Sequence, residues 1–181
     1  MFISFIPRWW LRSAMQGNPK SQYSLGILYR DGRGVKQSYK KVFEWWEKAA
    51  EQGGLKQAQS GLGLMYFYGT HVKKNHAKAV KYYTLAAQQN DAEAQYSLGT
   101  MLFHGRGGLQ ASDEKAAELW LAAAKTGHVK AMYSCGIACR EGRGLPQSTE
   151  EAKKWLRKAS AGGLQPATAA LFDMENGAAD G

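Results

Sequence analysis

A leucine-glycine pair that returns every 36 or 37 residues constrains this chain more than any other feature. Leu25-Gly26, Leu62-Gly63, Leu98-Gly99 and Cys135-Gly136 recur at steps of 37, 36 and 37. Six residues after each glycine stands another: Gly32, Gly69, Gly105 and Gly142. A landmark of small residues keeps the same step, in Ala49-Ala50, Ala86-Ala87, Ala123-Ala124 and Ala159-Ser160, with Val42, Ala79, Ala116 and Ala152 seven residues before each pair. Two landmarks in step through four copies mean a repeated structural unit. A unit this small cannot bury an apolar face without a neighbour to stack on.

Each copy reads as two helices. The first runs over roughly Lys20–Asp31 in copy one, with Leu25, Gly26 and Tyr29 on one side. A glycine in that interior costs about 1 kcal/mol, so its return in every copy predicts a place where a neighbouring helix comes close. Gly32-Arg33-Gly34 ends the helix, glycine accepting the left-handed turn. Ser38, Asn75, Ser112 and Ser148 stand four residues before the second helix's first landmark and are N-cap residues; Ser148 with Glu151 fits a capping box. The extra residue of copy three falls in the turn at Gly107-Gly108. The expected fold is all-α: a right-handed α-solenoid of stacked antiparallel helix pairs, four repeats plus terminal half-repeats. As one solenoid domain over 1–181 it divides into a partial repeat (1–17), repeats at 18–53, 54–90, 91–127 and 128–163, and a capping helix with tail (164–181). Trp10–Ala14 resembles a second helix without its partner, and Pro166–Glu175 a first helix without a successor, with Asp173, Glu175 and Asp180 as a polar cap.

Composition narrows the function classes. Two cysteines exclude a disulfide-stapled miniprotein and a four-cysteine zinc module. No apolar run approaches the length of a membrane span. Phe2–Ile6 is apolar but short, with no positive charge before it, so no signal peptide is expected and the expected compartment is cytoplasmic, or periplasmic or secreted had a leader been removed. His71, His76, His104 and His128 show no metal-ligand spacing, and the Gly-Arg-Gly turns lack the strand and the Lys-Ser/Thr of a phosphate loop. Asp31 and Glu141, each after an arginine, read as solvated helix ends. No catalytic residue, metal site or cofactor is expected.

These residues resemble the Sel-one-like repeat (SLR) family, relatives of tetratricopeptide repeats, whose pattern runs Ala-x-x-x-Leu-Gly-x-x-Tyr-x-x-Gly-x-Gly-Val and then Lys-Ala-x-x-Trp-x-x-Lys-Ala-Ala. Copy one carries Leu25-Gly26, Tyr29, Gly32, Gly34, Val35, Trp45, Lys48, Ala49 and Ala50; copy two Ala58, Leu62-Gly63, Tyr66, Gly69, Lys78-Ala79 and Ala86; copy three Ala94, Leu98-Gly99, Gly105, Lys115-Ala116 and Ala123; copy four Ala131, Gly136, Gly142, Ala152, Trp155, Lys158 and Ala159. His71 replaces a turn glycine, and Leu102 and Cys139 replace the tyrosine. Secreted relatives staple each repeat with a cysteine pair; here Cys135 and Cys139 share one helix face at core positions and read as buried free thiols.

The resemblance implies a non-catalytic scaffold that binds a protein or peptide segment. By analogy with tetratricopeptide geometry, the first helices line a concave groove through Tyr23, Ile27, Arg30, Leu64, Phe67, Tyr68, Tyr96, Thr100, Phe103, His104, Tyr133, Ile137 and Arg140. Rigid aromatics and arginine are the residues that carry interface energy; the inter-repeat core is the other use for the same rings. If they face the groove, replacing Phe67 and Phe103 leaves the fold intact. Two alternatives stay open: a cell-wall or β-lactam hydrolase activity, as claimed for some cysteine-rich relatives, and an acidic partner, nucleic acid or an anionic surface, on a basic convex face where Lys73, Lys74, Lys78 and Lys81 are densest. Nucleic acid is not the expected partner. Phe2, Ile3, Phe5, Ile6, Trp9 and Trp10 form an apolar cluster from which self-association is expected.

Overall fold

The second helices of the four repeats start with the same chemistry. The side-chain oxygens of Ser38, Asn75, Ser112 and Ser148 accept from the backbone N–H groups of Lys41, Lys78, Lys115 and Glu151, donors that a first helical turn leaves without partners. The N–H groups of the same four residues donate to first-helix carbonyls, those of Tyr29, Tyr66, Leu102 and Cys139. One residue thus fixes both the start of the second helix and its register against the first. The reciprocal capping box expected at Ser148 does not form. Its N–H donates to Cys139 at 2.9 Å, and the Glu151 carboxylate accepts instead from Lys154 at 2.9 Å.

The computed structural model describes residues 6–176, and among them are ten helices and no strand: α1 (Arg8–Met15), α2 (Pro19–Asp31), α3 (Tyr39–Glu51), α4 (Lys56–Tyr68), α5 (His76–Ala87), α6 (Ala92–Phe103), α7 (Asp113–Lys125), α8 (Val129–Glu141), α9 (Thr149–Ala161) and α10 (Gln165–Asn176). The chain forms two compact units divided between Asp91 and Ala92. In the N-terminal unit α1 packs on α2, α2 on α3, α3 on α4 and α4 on α5; in the C-terminal unit α6 packs on α7, α7 on α8, α8 on α9 and α9 on α10. Neighbours in sequence are neighbours in space, as stacked helix pairs require. No helix among the described residues is long and apolar enough to cross a membrane.

The landmark glycines are seats for second-helix side chains. A Cβ built on Gly99 would lie 2.8 Å from Trp120 Nε1 and 3.0 Å from the Ala116 carbonyl. One on Gly63 would lie 2.7 Å from the Tyr83 ring, and one on Gly136 2.8 Å from Leu156 Cγ; Gly26 lies under the Trp46 indole. The seated residues, Trp46, Tyr83, Trp120 and Leu156, follow the repeat themselves. Trp45 and Trp155, the family's tryptophan position, are instead half-buried, with the Nζ of Lys48 and Lys158 at 4.8 and 4.7 Å from their ring centres. Around the seats the small landmarks disappear from solvent: Ala49, Ala86, Ala123 and Ala159 are fully buried, as are Leu25, Leu62 and Cys135.

Glutamines tie successive pairs together. Gln22 and Gln59, both buried, donate to the carbonyls of Ala14 and Ala50 at 3.1 and 3.5 Å, carbonyls in the last turn of the preceding second helix. A buried polar side chain costs stability unless it is hydrogen-bonded, so these bonds fix the stacking as well as permit it.

Candidate functional site

In the C-terminal unit α6, α7, α8 and the turn after α8 enclose a cleft of about 260 Å³. Six of the thirteen residues expected at the binding face line it: Tyr96, Thr100, Phe103, His104, Tyr133 and Ile137. Trp120, Ser134, Ala138, Glu141 and Arg143 complete the lining. Arg140 is not in the lining; its guanidinium donates to Glu141 at 2.9 Å.

The rings of this cleft are braced from behind. Tyr96 stacks on His128 with 4.8 Å between ring centres, and Phe103 leans on Trp120 at 5.3 Å. Arg143 lies over the Phe103 ring at 4.2 Å while donating to both carboxylate oxygens of Asp113 at 2.9 and 3.2 Å. The hydrogen bond to Asp113 is the largest cause holding the Arg143 pKa above its ordinary value. Phe103 is therefore part of the packing as well as of the cleft wall, so the expectation that its loss leaves the fold intact does not carry over to the structure.

A difference between repeats singles out Trp120. In the first repeat the indole N–H of Trp46 donates to the Tyr23 carbonyl at 3.2 Å. In the third repeat the equivalent carbonyl, on Tyr96, accepts from the Thr100 hydroxyl at 2.9 Å, a group for which Ile27 has no counterpart. The buried Trp120 Nε1 is left without a hydrogen-bond partner.

The N-terminal unit has a cleft of about 240 Å³ in the corresponding place, lined by Arg30, Leu64 and Tyr68 of the expected face together with Tyr39, Val42, Trp46, Met65 and Thr70. Tyr68 is 67% and Leu64 44% exposed. Arg30 is held by Asp31 at 2.8 Å, and its hydrogen bond is the largest cause keeping the Asp31 carboxyl below its ordinary range. Three expected residues are not in the lining. Tyr23, half-buried, stacks on Trp46 at 5.5 Å; Phe67 stacks on His76 at 5.1 Å; Ile27 is half-buried.

Cys135 and Cys139 are both buried free thiols. Burial first, and the neighbouring Cys139 second, push the Cys135 thiol up to about 12; burial first, then Glu151, raises Cys139. Their burial at core positions makes them packing groups. Two contributors escaped the sequence reading. Arg143 sits in a Gly-Arg-Gly turn whose recurrence was its signal. His128 caps α8, its Nδ1 accepting from Ala131 N–H at 3.1 Å while its Nε2 meets Glu93 at 3.1 Å. Of the N-terminal apolar cluster, Phe2, Ile3 and Phe5 lie outside the described residues; Trp9 stacks on Trp10 at 6.0 Å and is 71% exposed.

Comparison with known proteins agrees with this architecture. The Sel1 repeat family model matches residues 19–54, 56–91, 92–128 and 129–164. Among solved structures, c5321, a protective antigen of uropathogenic Escherichia coli described as displaying an SLR fold, is 36% identical with a TM-score of 0.83, over 92% of this chain and 35% of that one. A Sel1 repeat protein from Oxalobacter formigenes is 34% identical with a TM-score of 0.77, over 87% of this chain and 64% of that one. Cysteine-rich protein B of Helicobacter pylori is 25% identical with a TM-score of 0.53, over 72% and 90% of the two chains. Among curated proteins, the chitin synthase regulator SKT5 of Saccharomyces cerevisiae is 42% identical over 43 residues, which are 24% of this chain and 6% of that protein. The chain thus spans about a third of c5321 and a small part of the regulator. Four matched repeats, and a fold shared with these structures along most of its length, place the chain in the Sel1 repeat family, an α-solenoid family whose members serve in general as protein-interaction scaffolds.

Proposed function

We propose that this chain is a non-catalytic scaffold that holds a peptide or protein segment in the clefts of its first helices, one cleft in each unit. The observation that carries the reading is the gathering of Tyr96, Thr100, Phe103, His104, Tyr133 and Ile137 around one cavity. Its aromatic walls and its rim of His104, Glu141 and Arg143 suit an apolar side chain flanked by polar backbone. Tyr68 and Leu64 offer the same service in the N-terminal unit, being exposed aromatic and aliphatic groups beside a preformed cleft.

A peptide library displayed on phage and selected against the purified chain tests this. Selected peptides are expected to lose about tenfold or more in affinity for a Tyr68→Ala/Leu64→Ala variant or for a His104→Ala/Tyr133→Ala variant. Peptides that bind both variants as well as the parent chain contradict the proposal. Phe103 is unsuitable as a probe, because its contacts with Trp120 and Arg143 confound binding with stability.

A further inference from the structure

The positive charge of the chain is concentrated in one half. Residues 1–91 hold fourteen Lys and Arg against five Asp and Glu, and residues 92–181 hold ten against ten, so the whole net +9 belongs to the N-terminal unit. Part of that excess gathers around an open crevice of about 600 Å³ formed by α3, α4, the turn before α5 and the first turn of α5. Phe43, Tyr66 and Val72 supply apolar lining, and Lys73, Lys74 and Lys78 supply three cations, with Glu47 the single acidic residue.

Lys78 keeps a position of the repeat, over Tyr66 as Lys41 is over Tyr29, but Lys73 and Lys74 are not explained by the fold. At the position of Lys74, repeats one and four carry Gln37 and Gln147, whose amides donate to the carbonyls of Arg30 and Arg140 at 2.7 and 3.1 Å and so close the end of the first helix. Lys74 stands there exposed, beside an equally exposed Lys73. Lys78 lies over the Tyr66 ring at 5.0 Å. Among the described residues none of the three lysines takes part in an ion pair. The aromatic lining is rigid, since Tyr66 is stacked on Tyr82 at 5.7 Å and braced edge-on by Phe43 at 5.9 Å. Uncompensated like charges repel one another, and an acidic partner relieves that repulsion as it docks.

We propose that this crevice docks an acidic segment of a partner protein, with its carboxylates on Lys73, Lys74 and Lys78 and an apolar side chain on Phe43 and Val72. A protein segment fits better than a nucleic-acid strand for two reasons. Tyr66 is 7% exposed and covered by its ring neighbours, so it offers no face for base stacking. Glu47 interrupts the run of positive charge that a phosphate backbone follows, whereas a peptide spaces its charges and can present an amide or hydroxyl donor there. Phe43 and Val72 are half-buried and Tyr66 is buried, so the apolar lining offers little to a bilayer surface. This site is separate from the first-helix clefts and stands or falls without them.

The test uses the full chain and a short fluorescein-labelled peptide with Glu at alternate positions around a central Phe. Its Lys-for-Glu counterpart, an oligo-dT strand and phosphatidylserine-containing vesicles are titrated beside it. The Glu peptide is expected to bind, to weaken as salt is raised, and to bind about tenfold or more less tightly to the Lys73→Gln/Lys74→Gln/Lys78→Gln variant. The corresponding triple arginine variant is expected to keep binding. Absence of binding by the Glu peptide, equal binding to the glutamine variant, or tighter binding of oligo-dT or vesicles than of the peptide overturns the proposal. Should the glutamine variant lose its helical circular dichroism, the parent chain decides: binding that salt does not weaken contradicts a lysine-lined site.

Discussion

Glycine within a helix ordinarily lowers stability, and alanine at an exposed helical site recovers about 1 kcal/mol. At Gly99 the sign should reverse, because the new Cβ would meet the buried Trp120 ring at 2.8 Å and the Ala116 backbone at 3.0 Å. Gly99→Ala is expected to lose about 1–3 kcal/mol in urea denaturation, the range for overpacking; a gain in stability would show that the helices can part without cost. His71 makes the opposite case. Its φ of +66° stands where Gly34 and Gly144 hold +69° and +73°, a region that a side chain enters at a cost. His71→Gly is expected to gain about 0.5–1 kcal/mol, net of the freedom that glycine adds to the unfolded chain, and a loss would mean that the imidazole contributes contacts of its own. At this scale the sequence made the glycines legible because they recur, while what sits on them was not. Trp45 and Trp46 are adjacent, and only the packing of α3 against Gly26 of α2 and Gly61 of α4 decides that the second is the buried one. Phe67 and Phe103 share a register position, yet one meets His76 and the other Trp120, because the neighbours differ.

The helices themselves were readable from caps and breaks. Ser38, Asn75, Ser112 and Ser148 start the second helices as expected, and Gly32, Gly69 and Gly142 end first helices in the left-handed region. The start of α8 was not readable in this way, since histidine is an uncommon cap and its role depends on Glu93 from α6. That pair carries a pH signature. The hydrogen bond from His128 is the largest cause lowering the Glu93 carboxyl from 4.5; burial opposes it, and the charges of His128 and Lys130 add to it. With the folded pKa below the unfolded one, the unfolded chain binds more protons between the two values, so stability rises with pH across that window. The contribution is complete above the ordinary carboxylate pKa and is lost as pH falls through the folded value. Glu93→Gln is therefore expected to be less stable than the parent chain at neutral pH, with the gap closing below about pH 4. A gap that stays constant down to acid pH would show that Glu93 contributes shape rather than charge.

On the scale of the whole molecule, family membership explains the repeated frame, and the departures from it are where function is sought. The N-terminal unit carries the net charge and the lysine-lined crevice; the C-terminal unit, with as many acidic as basic residues, carries the more fully braced aromatic cleft. That first-helix residues of one register line a cavity was legible from the repeat, but which of them share it depends on second-helix and turn residues, Trp120 and Arg143 above all. α1 adds an apolar surface, with Trp9 71% and Met15 73% exposed. From this we expect concentration-dependent self-association, read as molar mass in solution and reduced in a Trp9→Ser/Met15→Ser variant; a chain that stays monomeric at high concentration contradicts it. Whether the first-helix clefts hold the partner segment is decided by NMR chemical-shift mapping with a phage-selected peptide. The largest perturbations are expected on Thr100, Phe103, His104, Tyr133 and Ile137 in the C-terminal unit and on Leu64 and Tyr68 in the N-terminal unit. Perturbations concentrated instead on the outward positions of α7 and α9, with those cleft residues unmoved, would contradict binding in the clefts.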